Sequence, residues 1–412
     1  MSRSTALRSL PAIETVLREP ALADALARVP RSLVVEAVRA EVALERARLA
    51  NGRAAGTPAA PAAAALAARA STRALAGARP ALRRVLNATG VVLHTNLGRA
   101  PLARSAHAAL ADIAAGYSSL EFDLDTGRRG DRGLGVERWL TRLTGASAAL
   151  AVNNGAAAIL LVLSALAGGR AVVVSRGELV EIGGSFRVPE ILEKSGARLV
   201  EVGATNRTHL RDYERALARH DDVAAILRVH RSNFRMEGFV TQPEMGALAA
   251  LARKRRIPLI EDLGSGALVD FTSFGLAHEP TVGESLAAGA DIVTASGDKL
   301  LGGAQAGLVL GEKKWVDRVR RDPLARALRM EKLALAALEA TLALYADPER
   351  ARREIPTLAM LGADLATLEA RARRLADALA AIPALATRIV AGHGVVGGGS
   401  LPGQKLAGPG IE

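Results

Sequence analysis

The chain has 412 residues, no cysteine and a formal net charge of +12, and half of its residues are hydrophobic. That length suggests two or three domains, and the apolar content argues for a large core and against a disordered chain. Without cysteine there can be no disulfide framework, zinc–thiolate site, iron–sulfur cluster or thiol nucleophile, while the positive charge suits a polyanionic partner.

The first 86 residues hold 14 arginines, no lysine and six acids, so +8 of the net charge is concentrated there. Residues 10–49 carry apolar positions at helical spacing, and Pro20 and Pro30 divide them into short helices. Residues 51–80 are dominated by Ala, Gly and Pro, with one further helix predicted over 62–75. Residues 1–80 therefore read as a small helical module with a linker. No secretory signal is evident, since Arg8, Glu14, Arg18 and Glu19 interrupt any apolar stretch. The longest apolar run, 155–169, is too short to span a bilayer. These features predict a soluble, cytoplasmic protein with no membrane partner.

Beyond residue 81 the pattern changes. Ala148–Val152, Ala171–Ser175, Arg198–Val202, Val223–Val229 and 258–261 read as strands. Helices are predicted between them, at 155–166, 213–219 and 243–255. Alternating strands and helices imply an α/β fold with a mostly parallel sheet, whose ligands sit at the carboxyl ends of the strands. A Leu/Ala-rich helix at 330–345 and a helical, Gly-rich tail follow. The body thus divides into a large domain, 81–330, and a small one, 331–412.

Three features in this order suggest one chemistry. In ALAVNNGAAAILL, a strand runs into Asn153, Asn154 and Gly155, and small residues then open a helix, an arrangement that lets backbone amides approach a phosphate. In LIEDLGSG, Asp262 projects near the end of an apolar strand. In DIVTASGDKLLGGAQAGLVL, Lys299 occupies a glycine-bounded turn between two apolar strands. Only seven of the 54 basic residues are lysine, so few candidates compete with it. Half-burial there lowers a lysine pKa and favours amine chemistry. Singly, these features also fit a plain strand–helix junction, a helix cap and a surface turn. Together, an aspartate for a pyridine nitrogen and a lysine for an aldehyde form a pyridoxal-phosphate arrangement. Arg99, Arg128, Arg129, Arg132, Arg326 and Arg329 lie near turns or glycines and suggest an anionic second substrate, with Arg326 and Arg329 expected on one helix face. Gly392, Gly394 and Gly397 form a single G-x-G-x-x-G, read as a loop because no helix follows. The seven histidines lack metal-ligand spacing, and Arg253 to Arg256 read as a solvated helix end.

The segments VLNATGVVLHTNLGRAPL, YSSLEFDLDTGRRGDRG, RGELVEIGGSFRVPEIL, IEDLGSGALVD and SGDKLLGGAQAG, in this order, resemble the bacterial L-seryl-tRNA(Sec) selenium transferases, or selenocysteine synthases. The resemblance implies a fold-type I PLP-dependent transferase with a small N-terminal helical tRNA-binding domain and a small C-terminal α+β domain. It implies conversion of seryl-tRNA(Sec) to selenocysteinyl-tRNA(Sec) through an aminoacrylyl intermediate, with selenophosphate as donor, in a homodecamer built as a pentamer of dimers. By the same resemblance Lys299 carries the cofactor and Asp298 falls in its active-site turn. Asp262 partners the pyridine nitrogen, and Asn154, Gly155 and Ala156 form the phosphate turn. Arg99, Arg132, Arg326 and Arg329 belong to the selenium-donor pocket. Two departures stand out. Ala304 replaces a usual proline, and the ending KLAGPGIE, where the family continues, leads to the expectation of a truncated C-terminal domain. The alternatives are a lyase-like paralogue acting on a free small amino acid or amino sugar acid, and an inactive tRNA-binding remnant.

Overall fold

The computed structural model describes residues 7–51, 61–182 and 186–412. They fall into two units, Met1–Leu86 and Asn87–Glu412. Most of the Ala/Gly/Pro tract (52–60) and residues 183–185 of the RGELVEIGGSFR segment lie outside the described residues.

In the N-terminal unit, Pro20 opens a short 3-10 turn and Pro30 immediately precedes the long helix α1 (Arg31–Asn51). Both prolines thus stand where the missing N–H is harmless. Helix α2 (Ala63–Gly77) packs on α1 through Val34, Val38 and Val42 against Leu66, Ala70 and Ala74. Beside this apolar seam runs a charged one. Arg73 Nε donates to Glu41 at 2.7 Å, Arg69 Nη2 to Glu45 at 3.1 Å, and Arg48 Nε to Glu45 at 2.6 Å.

The body is built on a seven-stranded sheet. In chain order the strands are β1 (Ala148–Val152), β2 (Ala171–Ser175), β3 (Arg198–Val202), β4 (Val223–Val229), β5 (Leu259–Gly264), β6 (Ile292–Ser296) and β7 (Gly307–Gly311). Their spatial order is β1-β7-β6-β5-β4-β2-β3, with only β7 antiparallel to its neighbours. Both faces are covered, so β2, β6 and β7 are buried along their whole length rather than alternating, while the edge strand β3 exposes Arg198 and Glu201. In β2, Val172 and Val174 join the core that includes Leu161 and Leu166 of helix α3 (Gly155–Ala167), while Ala171 and Val173 face the opposite core. This α/β, mostly parallel architecture is the fold class predicted from the pattern.

Helix α4 (Lys332–Leu344) packs against the helices Arg104–Ala114 and Leu134–Thr144, and Tyr345 at its end donates its hydroxyl to the carbonyl of Leu301 at 2.8 Å. Helix α5 (Leu365–Ala380) packs beside a two-stranded antiparallel ribbon of β8 (Ile389–Val395) and β9 (Lys405–Ile411). The G-x-G-x-x-G segment is therefore not simply a loop: Gly392 and Gly394 lie within β8. Glycine serves close backbone approach there, since a Cβ on Gly394 would come 2.7 Å from the Gly90 carbonyl oxygen.

Candidate functional site

The functional groups gather where the parallel strands end. Strand β6 is buried throughout, and its chain then turns through Gly297, Asp298 and Lys299. The turn is closed by Gly303 N–H donating to the Gly297 carbonyl at 2.8 Å and Leu300 N–H donating to that of Ser265 at 3.0 Å. A Cβ on Gly297 would lie 2.7 Å from the Ala304 carbonyl oxygen, so this turn requires glycine.

Lys299 is only 6% exposed. Burial, then the nearby Arg99 guanidinium, lower its pKa, although Asp262, Asp298 and Glu279 pull the other way. More of the amine is therefore unprotonated near neutrality than in an ordinary lysine. Nζ rests against backbone on two sides. A Cβ on Gly264 would lie 3.8 Å from it, and one on Gly399 only 2.7 Å. Gly399 has φ +82° and belongs to the segment after β8, which passes over the lysine.

Asp262 is the fourth residue of β5, in register with Thr294 of β6, whose Oγ1 donates to Asp262 Oδ1 at 2.7 Å. Burial raises the Asp262 pKa against that hydrogen bond and Lys299. A cationic ring nitrogen would relieve the penalty by restoring the charged carboxylate. The backbone of His230, just past β4, donates to the Asp262 carbonyl at 2.9 Å, and His230 Nε2 pairs with the buried Glu279 at 3.1 Å.

Asn154 caps α3, its side chain accepting from Ala157 N–H at 2.9 Å. The amides of Gly155 and Ala156 lack intrahelical partners and point outward at the positive end of the helix dipole. A Cβ on Gly155 would fall 2.5 Å from Ser296 Oγ, so the glycine keeps this cradle open. Three serine hydroxyls around the lysine, on Ser232, Ser265 and Ser400, are buried without hydrogen-bond partners. A carboxylate, a buried amine of lowered pKa, an anion-binding helix end and orphaned hydroxyls suit a phosphorylated pyridine aldehyde. The residues present fit pyridoxal phosphate.

The four arginines line two recesses of this chain. Arg99 lies beside the lysine turn, at φ +55°, with Nη1 donating to Asp298 at 2.9 Å. Arg132, Arg326 and Arg329 instead line another cavity of ≈ 450 Å³. Arg132 donates to Glu121 through Nε at 2.9 Å, and Arg329 through Nη1 at 3.2 Å. Arg326 and Arg329 do not share a helix face. The helix Pro323–Ala327 ends before Arg329, which forms an isolated bridge with Val152 while Asn153 N–H donates to the Leu328 carbonyl at 2.9 Å.

Sequence reasoning did not single out Thr294, Ser296, Glu279 or Gly399. Thr294 was findable: once β5 and β6 are parallel neighbours, a polar residue two positions before Ser296 in a buried strand needs a polar partner. Gly399 carried no local signal.

Among known families, residues 85–411 match the model described as L-seryl-tRNA selenium transferase, and residues 7–48 match that described as Selenocysteine synthase N terminal. An L-seryl-tRNA(Sec) selenium transferase of Nitratidesulfovibrio vulgaris is 53% identical over 97% of this chain and 86% of its own length. That of Methylocella silvestris is 48% identical over 100% of this chain and 87% of its own. A solved structure of D-glucosaminate-6-phosphate ammonia-lyase aligns with a TM-score of 0.51 at 20% identity, over 74% of each chain, a likeness of fold. No helix among the described residues is long and apolar enough to cross a membrane.

Proposed function

The chain belongs to the L-seryl-tRNA selenium transferase family, and on that premise we propose that it converts seryl-tRNA(Sec) to selenocysteinyl-tRNA(Sec) with selenophosphate as donor. Its cofactor is pyridoxal phosphate, which when bound supplies an aldehyde that joins an amine and a ring that takes up electrons freed at the α-carbon. Lys299 would hold the aldehyde, Asp262 the ring nitrogen, and Asn154, Gly155 and Ala156 the phosphate.

The observation that carries this reading is the buried amine of Lys299, depressed in pKa and set beside Asp262. Such an amine takes the α-proton of the seryl group at Nζ and later returns it. The β-hydroxyl leaves as water, and the selenium nucleophile takes its place. Asp298 holds Arg99 by a charged hydrogen bond, keeping that guanidinium beside the lysine. We assign donor binding to Arg99, Arg132, Arg326 and Arg329; Glu121 fixes Arg132 and Arg329 ahead of binding. We assign tRNA binding to residues 1–80, cofactor chemistry to 81–330 and site closure to 331–412. The protein works in the cytoplasm as a homodecamer. The match of residues 7–48 to the N-terminal family model favours this reading over a lyase acting on free amino acids.

The test is selenophosphate-dependent conversion of seryl-tRNA(Sec), together with visible absorbance of the lysine-linked cofactor. Lys299→Ala removes both. A folded protein that takes up no pyridoxal phosphate overturns the proposal.

A further inference from the structure

Aromatic residues are scarce, with six Phe, three Tyr and two Trp in the whole chain. Two of the exposed ones, Phe234 and Phe239 (37% and 80% exposed), fall in one connection. It joins β4 to the helix Met245–Arg255 and reads His230-Arg-Ser-Asn-Phe-Arg-Met-Glu-Gly-Phe239. Its two arginines differ from those described at the lysine site and the neighbouring cavity. Arg99, Arg132 and Arg329 each meet a carboxylate, whereas neither Arg231 nor Arg235 does among the described residues. Arg231 Nη1 donates to the Met236 sulfur at 3.5 Å and stands within electrostatic reach of the buried Glu178, and Arg235 lies along the backbone of Gly403. Neither guanidinium fork is closed by a carboxylate, and that of Arg235 is exposed to an incoming oxyanion.

The loop is pinned at two places. Asn206 Nδ2 donates to the Phe239 carbonyl at 2.6 Å, and the Arg207 guanidinium sits 5.4 Å from the Phe239 ring centre. Asn233 Nδ2 donates to the Glu181 carbonyl at 2.8 Å. Phe234 and Arg235 are presented between these anchors, at a recess of ≈ 340 Å³. Glu178, Glu237 and Glu279 also line this recess, but two are engaged: Glu178 accepts from Val229 N–H and Gln242, and Glu279 from His230.

The recess adjoins the lysine. Leu401 lines it, two residues after Gly399, which abuts Nζ. Ser232, next to Arg231, has its orphaned Oγ 4.0 Å from where a Gly264 Cβ would stand, and that Cβ would be 3.8 Å from Nζ. An acyl group esterified to a nucleotide must reach Nζ, so the nucleotide itself must sit about one nucleotide length away. Open arginine forks interleaved with exposed aromatic rings are the chemistry that holds an unpaired nucleic-acid strand, by phosphate contacts and base stacking.

We propose that the Arg231–Phe239 loop binds the single-stranded 3′ end of the aminoacylated RNA, with Phe234 stacking on a terminal base and Arg231 and Arg235 on the phosphodiester. This rests on the substrate reading above and deepens it.

The experiment measures affinity of the cofactor-loaded full chain for tRNA(Sec) with and without its unpaired 3′-terminal nucleotides. The proteins are wild type, Phe234→Ala, Arg235→Ala and Arg235→Lys. Trimming the 3′ end weakens the wild type by about tenfold or more, the yield of one stacked base and one phosphate contact. Phe234→Ala and Arg235→Ala weaken the intact RNA by a similar factor and leave the trimmed RNA unaffected, and Arg235→Lys recovers part of the loss. Retained lysine-linked absorbance shows that the variants are folded. Equal losses for intact and trimmed RNA overturn the proposal, as does wild-type indifference to trimming. So does a Phe234→Ala effect confined to oligomeric state by sedimentation, which would make the ring a protein contact. Binding that responds to the 3′ end without any turnover sinks the selenium-transfer reading and leaves this loop's role standing.

Discussion

Glu45 in the N-terminal unit and Glu178 in the body are almost equally inaccessible, 5% and 3% exposed, yet the protein pushes them in opposite directions. Glu45 is held below the ordinary carboxylate range, chiefly by its hydrogen bond from Arg48 and with help from Arg69. Glu178 is pushed up to about 7 by burial, and Arg228, Arg231 and the Val229 amide only partly offset it. The helical unit pairs its covered acids with arginine. The strand ends of the body leave ionisable groups under-compensated, with Lys299 lowered and Asp262 raised beside Glu178. Under-compensation costs stability and yields reactivity, so it is found where the chemistry is and absent where the task is to hold a helix pair together.

The largest test of this contrast is Lys299→Ala. Removing the amine should reduce turnover by at least about 10²–10⁴-fold, the usual worth of a positioned acid–base group, and abolish the lysine-linked absorbance. Residual absorbance of that kind would place the reactive amine elsewhere and break the comparison. Asp262→Asn should retain the fold but weaken cofactor retention by about 3 kcal/mol, the scale of a broken buried charge pair. Equilibrium dialysis of pyridoxal phosphate reads it directly.

A pH series sharpens the contrast further, because the two glutamates carry opposite signs. The folded protein keeps a proton on Glu178 that the unfolded chain has lost. Stability therefore falls as pH rises from 4.5 to about 7, by about 3 kcal/mol in all, and Glu178→Gln flattens that slope in denaturant titrations. Glu45 behaves conversely. Its contribution is present above the ordinary Glu value of 4.5 and is lost as pH falls through its depressed folded value. Glu45→Gln should cost about 1 kcal/mol or less at pH 7, since its arginine partners are half exposed and screened. Smallest is Arg39→Ala with Arg46→Ala on the exposed side of α1, neither of which has a carboxylate partner among the described residues. Each should lower the salt dependence of tRNA binding by about one unit of slope and leave the cofactor spectrum unchanged.

Much of the body was legible in the sequence. Four strand boundaries coincide with the predicted ones because apolar β-branched runs between helical patterns admit one reading. Lys299 stood out through the scarcity of lysine and the glycines of its turn, and Asp262 through an acid ending an apolar strand. Arg329 was misplaced for a physical reason. Its i,i+3 spacing from Arg326 suits a helix, but pairing with Val152 and the Asn153–Leu328 hydrogen bond end that helix first. Gly392 and Gly394 looked like a loop because glycine is a poor strand former, yet here it lets β8 approach the Gly90 backbone.

The sequence by itself determined which elements form, in what order, and which residues can do amine chemistry, because periodicity, turn residues and side-chain type are local properties. Tertiary structure alone decided the neighbours. It set Thr294 on Asp262, divided Arg99 from Arg132, Arg326 and Arg329, and brought Gly399 from the C-terminal segment onto Nζ of Lys299. The reason is that burial and neighbouring charge, not spacing, shift these groups, and both are supplied by segments far away in the chain, as Arg99 is to Asp298, 199 residues on.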